Sequence, residues 1–333
     1  MTKAVLFDEL GGPEVLRLAD VRVGEPGEGE LRVRVDAFGL NRGESMFRTG
    51  NYYIQPPFPA ARIGYEAAGV VEAVGAGVTG FAPGDPVSVV PAFHMTDYGV
   101  HGEAAIVPAS AVLHRPDGMD PVTGAAVWLA YLTAYGALVE FGKIRPGDTV
   151  LITAASSSVG LAAIQIANHL GAIPIATTRT ASKKQRLLDA GAAHVINTEE
   201  DDLVKEIAAA TGTDGRGVDL AFDGVNGPAL GNVANVIAPN GTLICFGFLS
   251  GQSALLPMSR SYPFSLNIRI YEAFDLTLDL PRRRRAERFI NAGLRSGAFH
   301  PTIDRVFDLT EIVEAHRYLE RGAQFGKIVV TVR

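Results

Sequence analysis

Cysteine is nearly absent from this chain of 333 residues. The single one, Cys245, excludes an intrachain disulfide and any cysteine-rich zinc or iron–sulfur site. Histidine is sparse and scattered, at His94, His101, His114, His169, His194, His300 and His316, with no HxxxH spacing. A zinc dehydrogenase site needs about three Cys, His or acidic ligands around one open position. His94 and His101 therefore read as loop or surface histidines. Basic excess is lacking too: 30 Lys and Arg against 36 Asp and Glu give a net charge of −6. Such a chain has no global attraction for nucleic acid or an anionic membrane. No uncharged apolar run reaches the ~20 residues of a bilayer span. The nearest, Gly124–Val139, reads as a buried helix. The opening MTKAVLFDELGGPEVL lacks the longer apolar stretch and cleavage site of a secretory signal, so the cytosol is the expected location.

What is present is an ordinary globular composition, 47% hydrophobic and 20% charged, long enough for about two domains. The first third is β-rich. AVLF and the alternating ELRVRV are separated by GGPE and GEPGEGE, and GVVEAVGAGVTGFAPGDPVSVV reads as two strands joined by glycine turns. Near residue 123 the pattern changes. A long apolar helix, Thr123 to Phe141, leads into the uniformly apolar strand in DTVLITA. Then SVGLAAIQIANHLG, IPIATT, ASKKQRLLDAG, AHVINT, LVKEIAAATG, GVDLAFDGV and GTLICFGF alternate helix and strand with glycine-closed connections. That alternation predicts a doubly wound parallel sheet. SLNIRIYEAF adds a strand, a helix begins at Pro281, and GKIVVTV is a final strand able to pair back with the first third.

The best-supported chemical feature is the turn AASSSVG between the first strand of that series and its helix. Small residues at Ala154, Ser157 and Gly160 suit a dinucleotide pyrophosphate, which needs close backbone approach and free helix N–H groups. An acidic residue after the second strand would select NAD. This chain has TTRTASKK there, and Arg179 and Lys183 suit a 2′-phosphate, so NADP is expected. Arg282–Arg285 reads as a solvated helix face, Arg48 as a surface residue, and Cys245 as an inert core residue.

Along essentially its whole length the chain resembles the medium-chain dehydrogenase/reductase superfamily, in its zinc-free NADPH:quinone oxidoreductase-like branch. The motifs are KAVLFDELGGPEVLRL, GLNRGESMFRTGNYY, RIGYEAAGVVEAVGAGVTGFAPGDPV and the terminal GKIVV. Zinc-dependent members carry Cys where this chain has Asn41, and Gly-His-Glu where it has Gly64-Tyr65-Glu66. The four-cysteine loop of their structural zinc is absent, so the resemblance implies no metal. It implies a discontinuous GroES-like β-barrel catalytic domain (1–123 and 277–333) and a Rossmann doubly wound parallel-sheet domain (124–276). It also implies a homodimer joined through Rossmann-sheet edge strands, with SLNIRIYEAF as the edge. Carried over by position, Ser157, Ser158 and Val159 meet the pyrophosphate, and Arg179 and Lys183 the 2′-phosphate. Val225, Phe246, Gly247 and Phe248 flank the adenosine and nicotinamide, and Asn41, Thr133 and Lys327 lie near the nicotinamide. Tyr52 matches the tyrosine of the branch's RxGxY segment, a position linked to proton donation. Asn41, Tyr52, Tyr53 and Tyr65 are the candidate hydrogen-bond donors to a reduced acceptor. The expected activity is metal-free hydride transfer from NADPH to a quinone or an activated C=C. An enoyl-thioester reductase, or a non-catalytic NADPH-binding regulatory protein, are the alternatives. Neither nucleic acid nor membrane is an expected partner.

Overall fold

A computed structural model describes residues 1–332. The chain divides into two compact units, Met1–Leu129 with Pro301–Arg333, and Ala130–His300.

The first unit is built on β1 (Thr2–Phe7), β2 (Arg17–Val21), β3 (Glu30–Leu40), β4 (Ala61–Arg62), β5 (Ala67–Val74), β6 (Pro86–Val89), β7 (Ala104–Pro108) and β8 (Val112–His114). β3 alternates as the sequence predicts, with Leu31, Val33 and Val35 buried and Arg34 exposed between them. It pairs antiparallel with both β5 and β7, and β5 with β6. Gly69 is required on β5, because a Cβ there would lie 1.9 Å from the Arg34 carbonyl oxygen.

In the second unit the strands are β9 (Thr149–Ile152), β10 (Ile173–Thr178), β11 (His194–Asn197), β12 (Val218–Asp223), β13 (Ile237–Cys245) and β14 (Asn267–Ile270). All pairs are parallel, in the order β11-β10-β9-β12-β13-β14. Numbered within the unit this is 3-2-1-4-5-6, the doubly wound Rossmann order, with its switch point between β9 and β12. Leu151, Ile175, Ile196, Val218, Ala221 and Leu243 form its buried core. Cys245 belongs to that core, and burial pushes its thiol up to about 12, which keeps it protonated and unreactive.

The remaining strands, β15 (Ile303–Asp308) and β16 (Lys327–Thr331), return to the first unit. β16 pairs antiparallel with β3, so the C-terminal strand joins a sheet of the first third of the chain. Residues 277–300, which the sequence reading groups with the barrel, fall in the parallel-sheet unit. The helix Leu280–Ser296 is tied there by the Phe289–Tyr135 ring contact and the Arg285–Glu140 ion pair. Its basic run is not wholly solvated. Arg283 is buried and donates to Glu287 and the Thr277 carbonyl, because it lies on the same helix face as buried Ala286 and Ile290.

The apolar helix runs from Pro121 to Tyr135 and widens into a π-helical turn at Gly136–Phe141. Among the described residues this is the one helical run apolar enough to cross a membrane, and 78% of that stretch is buried inside the protein.

Candidate functional site

The nucleotide turn connects β9 to the helix Ser158–His169. Ser157 is the helix N-cap, and its Oγ accepts from the Gly160 amide at 3.1 Å. Its hydroxyl is thus committed to the helix start, while Ser158 and Val159 form the first helical turn, whose N–H groups lack intrahelical partners. Gly160 is fixed by packing: a Cβ would sit 2.6 Å from Ala155 backbone atoms. The helix start is therefore held against the strand end, leaving the shallow, N–H-lined cradle that suits a phosphate. Lys183 reaches over the same turn, with Nζ 3.2 Å from Ser156 Oγ. Arg179 follows β10 and is exposed, with no acidic residue between Thr178 and Lys184.

At the ends of the neighbouring strands, Val225 follows β12 and Phe246-Gly247-Phe248 follow β13. Phe246 stacks on Phe222 at 3.9 Å. Gly247 has no room for a Cβ, which would lie 2.6 Å from the Gly224 carbonyl oxygen. These loops and the serine turn all lie at the carboxyl ends of β9, β12 and β13, where an open α/β sheet takes its ligand. Thr133 is buried in the apolar helix of the same unit. A dinucleotide fits this constellation: cradle, basic pair and strand-end loops share one sheet edge.

In the first unit, Asn41 ends β3 and precedes the helix Arg42–Arg48. Glu44 folds back so that its carboxylate accepts from the Asn41 amide at 2.8 Å. This reciprocal cap is legible in the spacing N-x-x-E. The Asn41 side chain is buried and faces Glu66 at 3.1 Å and Lys327 at 2.5 Å. Lys327 also donates to Glu66, whose other oxygen accepts from the Leu129 amide. Thus Lys327 from β16, Asn41 beyond β3 and Glu66 before β5 form one buried, charge-balanced cluster. A zinc ion does not fit: the Lys327 ammonium already contacts the oxygens of both residues.

Tyr65 is buried, and burial together with the nearby Tyr52 hydroxyl pushes its phenol well above the ordinary range. It donates to the Tyr52 hydroxyl at 3.0 Å. Tyr52 is half-buried, and its ring packs on Tyr53, which is 58% exposed. A hydroxyl that accepts one hydrogen bond becomes a stronger donor for its own proton.

Two residues differ from the sequence reading. Arg48 is fully buried, its guanidinium bonded to Glu320 and the Gly11 carbonyl, because the helix Arg42–Arg48 turns that side inward. His101 is buried, stacked on Phe38 at 4.1 Å, in a hole that Gly64 leaves open. Its Nε2 lies 3.6 Å from Glu44, and His316, from the helix Ile312–Arg321, completes the group. Burial works against ionisation of Glu44, but His101 and then His316 face its carboxylate and hold it below the ordinary range. Burial also pushes the His316 imidazole down to about 3, leaving it neutral. The sequence reading missed this trio, since His101 and His316 lie 215 positions apart.

Comparison with known proteins gives two family matches: the alcohol dehydrogenase GroES-like domain over residues 27–117 and the zinc-binding dehydrogenase family over residues 158–276. The chain is 30% identical to a quinone oxidoreductase of Lama guanicoe over 335 aligned positions, covering 100% of this chain and 98% of that one. It is 29% identical to a 2-haloacrylate reductase of a Burkholderia species, over 99% of both chains. Among solved structures it superposes on Escherichia coli quinone oxidoreductase complexed with NADPH with a TM-score of 0.90, at 29% identity and 99% coverage of both chains.

Proposed function

From the premise that this chain belongs to the medium-chain dehydrogenase/reductase superfamily, in its quinone oxidoreductase-like branch, we propose that it is an NADPH-dependent reductase of quinones or activated carbon–carbon double bonds. The observation that carries the reading is the Asn41–Glu66–Lys327 cluster, in which the buried ammonium already occupies the oxygens a cation would need. Hydride transfer then proceeds with side-chain donors, and no metal takes part in it.

NADPH, when bound, supplies the hydride. The Ser158 and Val159 turn receives the pyrophosphate on its free amides, and Ser157 keeps that turn in shape through its bond to Gly160. Arg179 and Lys183 would hold the 2′-phosphate by charge-assisted hydrogen bonds. Val225, Phe246, Gly247 and Phe248 would flank the adenosine and nicotinamide, with Thr133 of the same unit toward the nicotinamide end.

A reduced quinone or enone gathers negative charge on oxygen, and a donor aimed there lowers the barrier. Tyr52 fills that role. Tyr65 stays protonated in its buried setting and donates to Tyr52, which sharpens Tyr52 as a donor.

The test is NADPH oxidation measured across quinones, alkenals and enoyl thioesters, with wild type and Tyr52→Phe. Wild type should turn over at least one quinone or alkenal. The variant should lose about tenfold to a hundredfold in kcat while its NADPH affinity stays within twofold. If NADPH binds but no acceptor consumes it, the chain is a binding protein and the proposal fails; thioester turnover alone redirects it to enoyl reduction.

A further inference from the structure

Among the described residues, the trio Glu44, His101 and His316 offers one ligand atom from each side chain, all within 4.8 Å of one another. All three are buried, Glu44 and His316 with no exposure at all. Both ring nitrogens of His101 and both of His316 lack a hydrogen-bond partner. A buried polar atom left unpaired costs about 1–3 kcal/mol, and one cation placed among the three side chains would satisfy one nitrogen of each imidazole. We propose that these residues form a structural site for one divalent transition cation of the zinc type, distinct in its ligands from the Asn41–Glu66–Lys327 cluster.

The donor set is two imidazoles and a carboxylate, a combination well suited to zinc. Tetrahedral zinc at 2.0–2.2 Å from its ligands sets those ligands about 3.4 Å apart. Glu44 Oε1 and His101 Nε2, at 3.6 Å, already have nearly that spacing. The widest gap in the trio closes by at most about 1.4 Å, within reach of side-chain rotation.

The carboxylate ligand is held from behind. The second Glu44 oxygen is fixed by the Asn41 amide, and the first accepts from the Asn41 side chain at 3.2 Å. Phe38 stacks flat on His101 and sets its ring plane. A bound cation accepts a lone pair from each imidazole, with a water as the fourth ligand. It would pin the helix Ile312–Arg321, from the C-terminal part of the chain, to the helix Arg42–Arg48 and the His101 segment.

Three measurements on the tag-free full chain test this. After stripping with chelator, incubation with zinc chloride and desalting, the protein should retain one zinc per chain by elemental analysis; none retained overturns the proposal. X-ray absorption of the zinc-loaded protein should count two imidazoles and oxygen donors; a spectrum without imidazole scattering overturns it. His316→Gln and Glu44→Gln should each weaken zinc retention at least about tenfold, with His114→Gln, an exposed histidine, unchanged. Wild-type retention by His316→Gln overturns it, and if that variant does not fold, the imidazole count decides alone. These readouts need no NADPH turnover, so failure here leaves the proposed reductase activity standing, and the reverse.

Discussion

Lys327 shows how much one side chain settles in this protein. Its ammonium is buried between the Asn41 amide oxygen and the Glu66 carboxylate. Replacing it with Met leaves Glu66 as an unpaired buried charge, which costs about 3–5 kcal/mol. Chemical denaturation of Lys327→Met should show a loss of that size, and Glu66→Gln in the same chain should restore part of it. A loss below 1 kcal/mol would mean that the cluster is solvated. Arg179 poses the complementary, exposed case. Its charge is expected to serve the cofactor's 2′-phosphate and little else, so Arg179→Ala should raise the Kd for NADPH about tenfold or more while that for NADH changes less than twofold. Equal effects on both cofactors would remove the 2′-phosphate role. At this scale the sequence was informative about charge and donor type: Arg179, Lys183, Asn41 and Tyr52 are named from it. The burial of Arg48 and His101 was not, because local sequence does not record which face of a short helix or loop turns inward.

The strand β9, its turn and the helix Ser158–His169 act as one element. Gly160 closes the distance between them, where a Cβ would lie 2.6 Å from Ala155 backbone atoms. Backbone yields less readily than a side chain, so Gly160→Ala should push the helix start off the strand end. The expected result is a stability loss of about 1–3 kcal/mol and a weakened NADPH affinity, read by denaturation and by fluorescence titration. Unchanged affinity would show that the helix start does not set the phosphate cradle. The strand–turn–helix order was legible, because three consecutive apolar residues followed by small ones and a long apolar helix admit few other readings. The Asn41–Glu44 cap did not enter the sequence reading, although its N-x-x-E spacing is a local signal for it. Less so was the π-helical turn at Gly136–Phe141, which the apolar run reads as plain helix.

For the whole molecule, the open question is what covers β14. Ile270 is 75% exposed on this edge strand, and nearby Leu255 and Tyr262 are more than 80% exposed. An uncovered apolar edge invites strand pairing, and a second copy of this chain is the proposed partner. Sedimentation of the wild type should give a dimer, and Ile270→Lys should shift it to monomer at micromolar concentration. A wild type that sediments as a monomer removes the proposal.

By itself, the sequence determined the fold class, the strand–turn–helix order around the serine turn and the likeness to a dehydrogenase/reductase branch. Periodicity, small-residue turns and motif order are local properties, each carried within a few tens of residues. Tertiary structure alone decided the two buried polar clusters. Lys327 meets Asn41 only because β16 pairs back onto β3, and His316 meets His101 and Glu44 only after the chain's ends share a unit. Contacts over such separations depend on how the strands close, and no pattern of neighbouring residues encodes that closure directly.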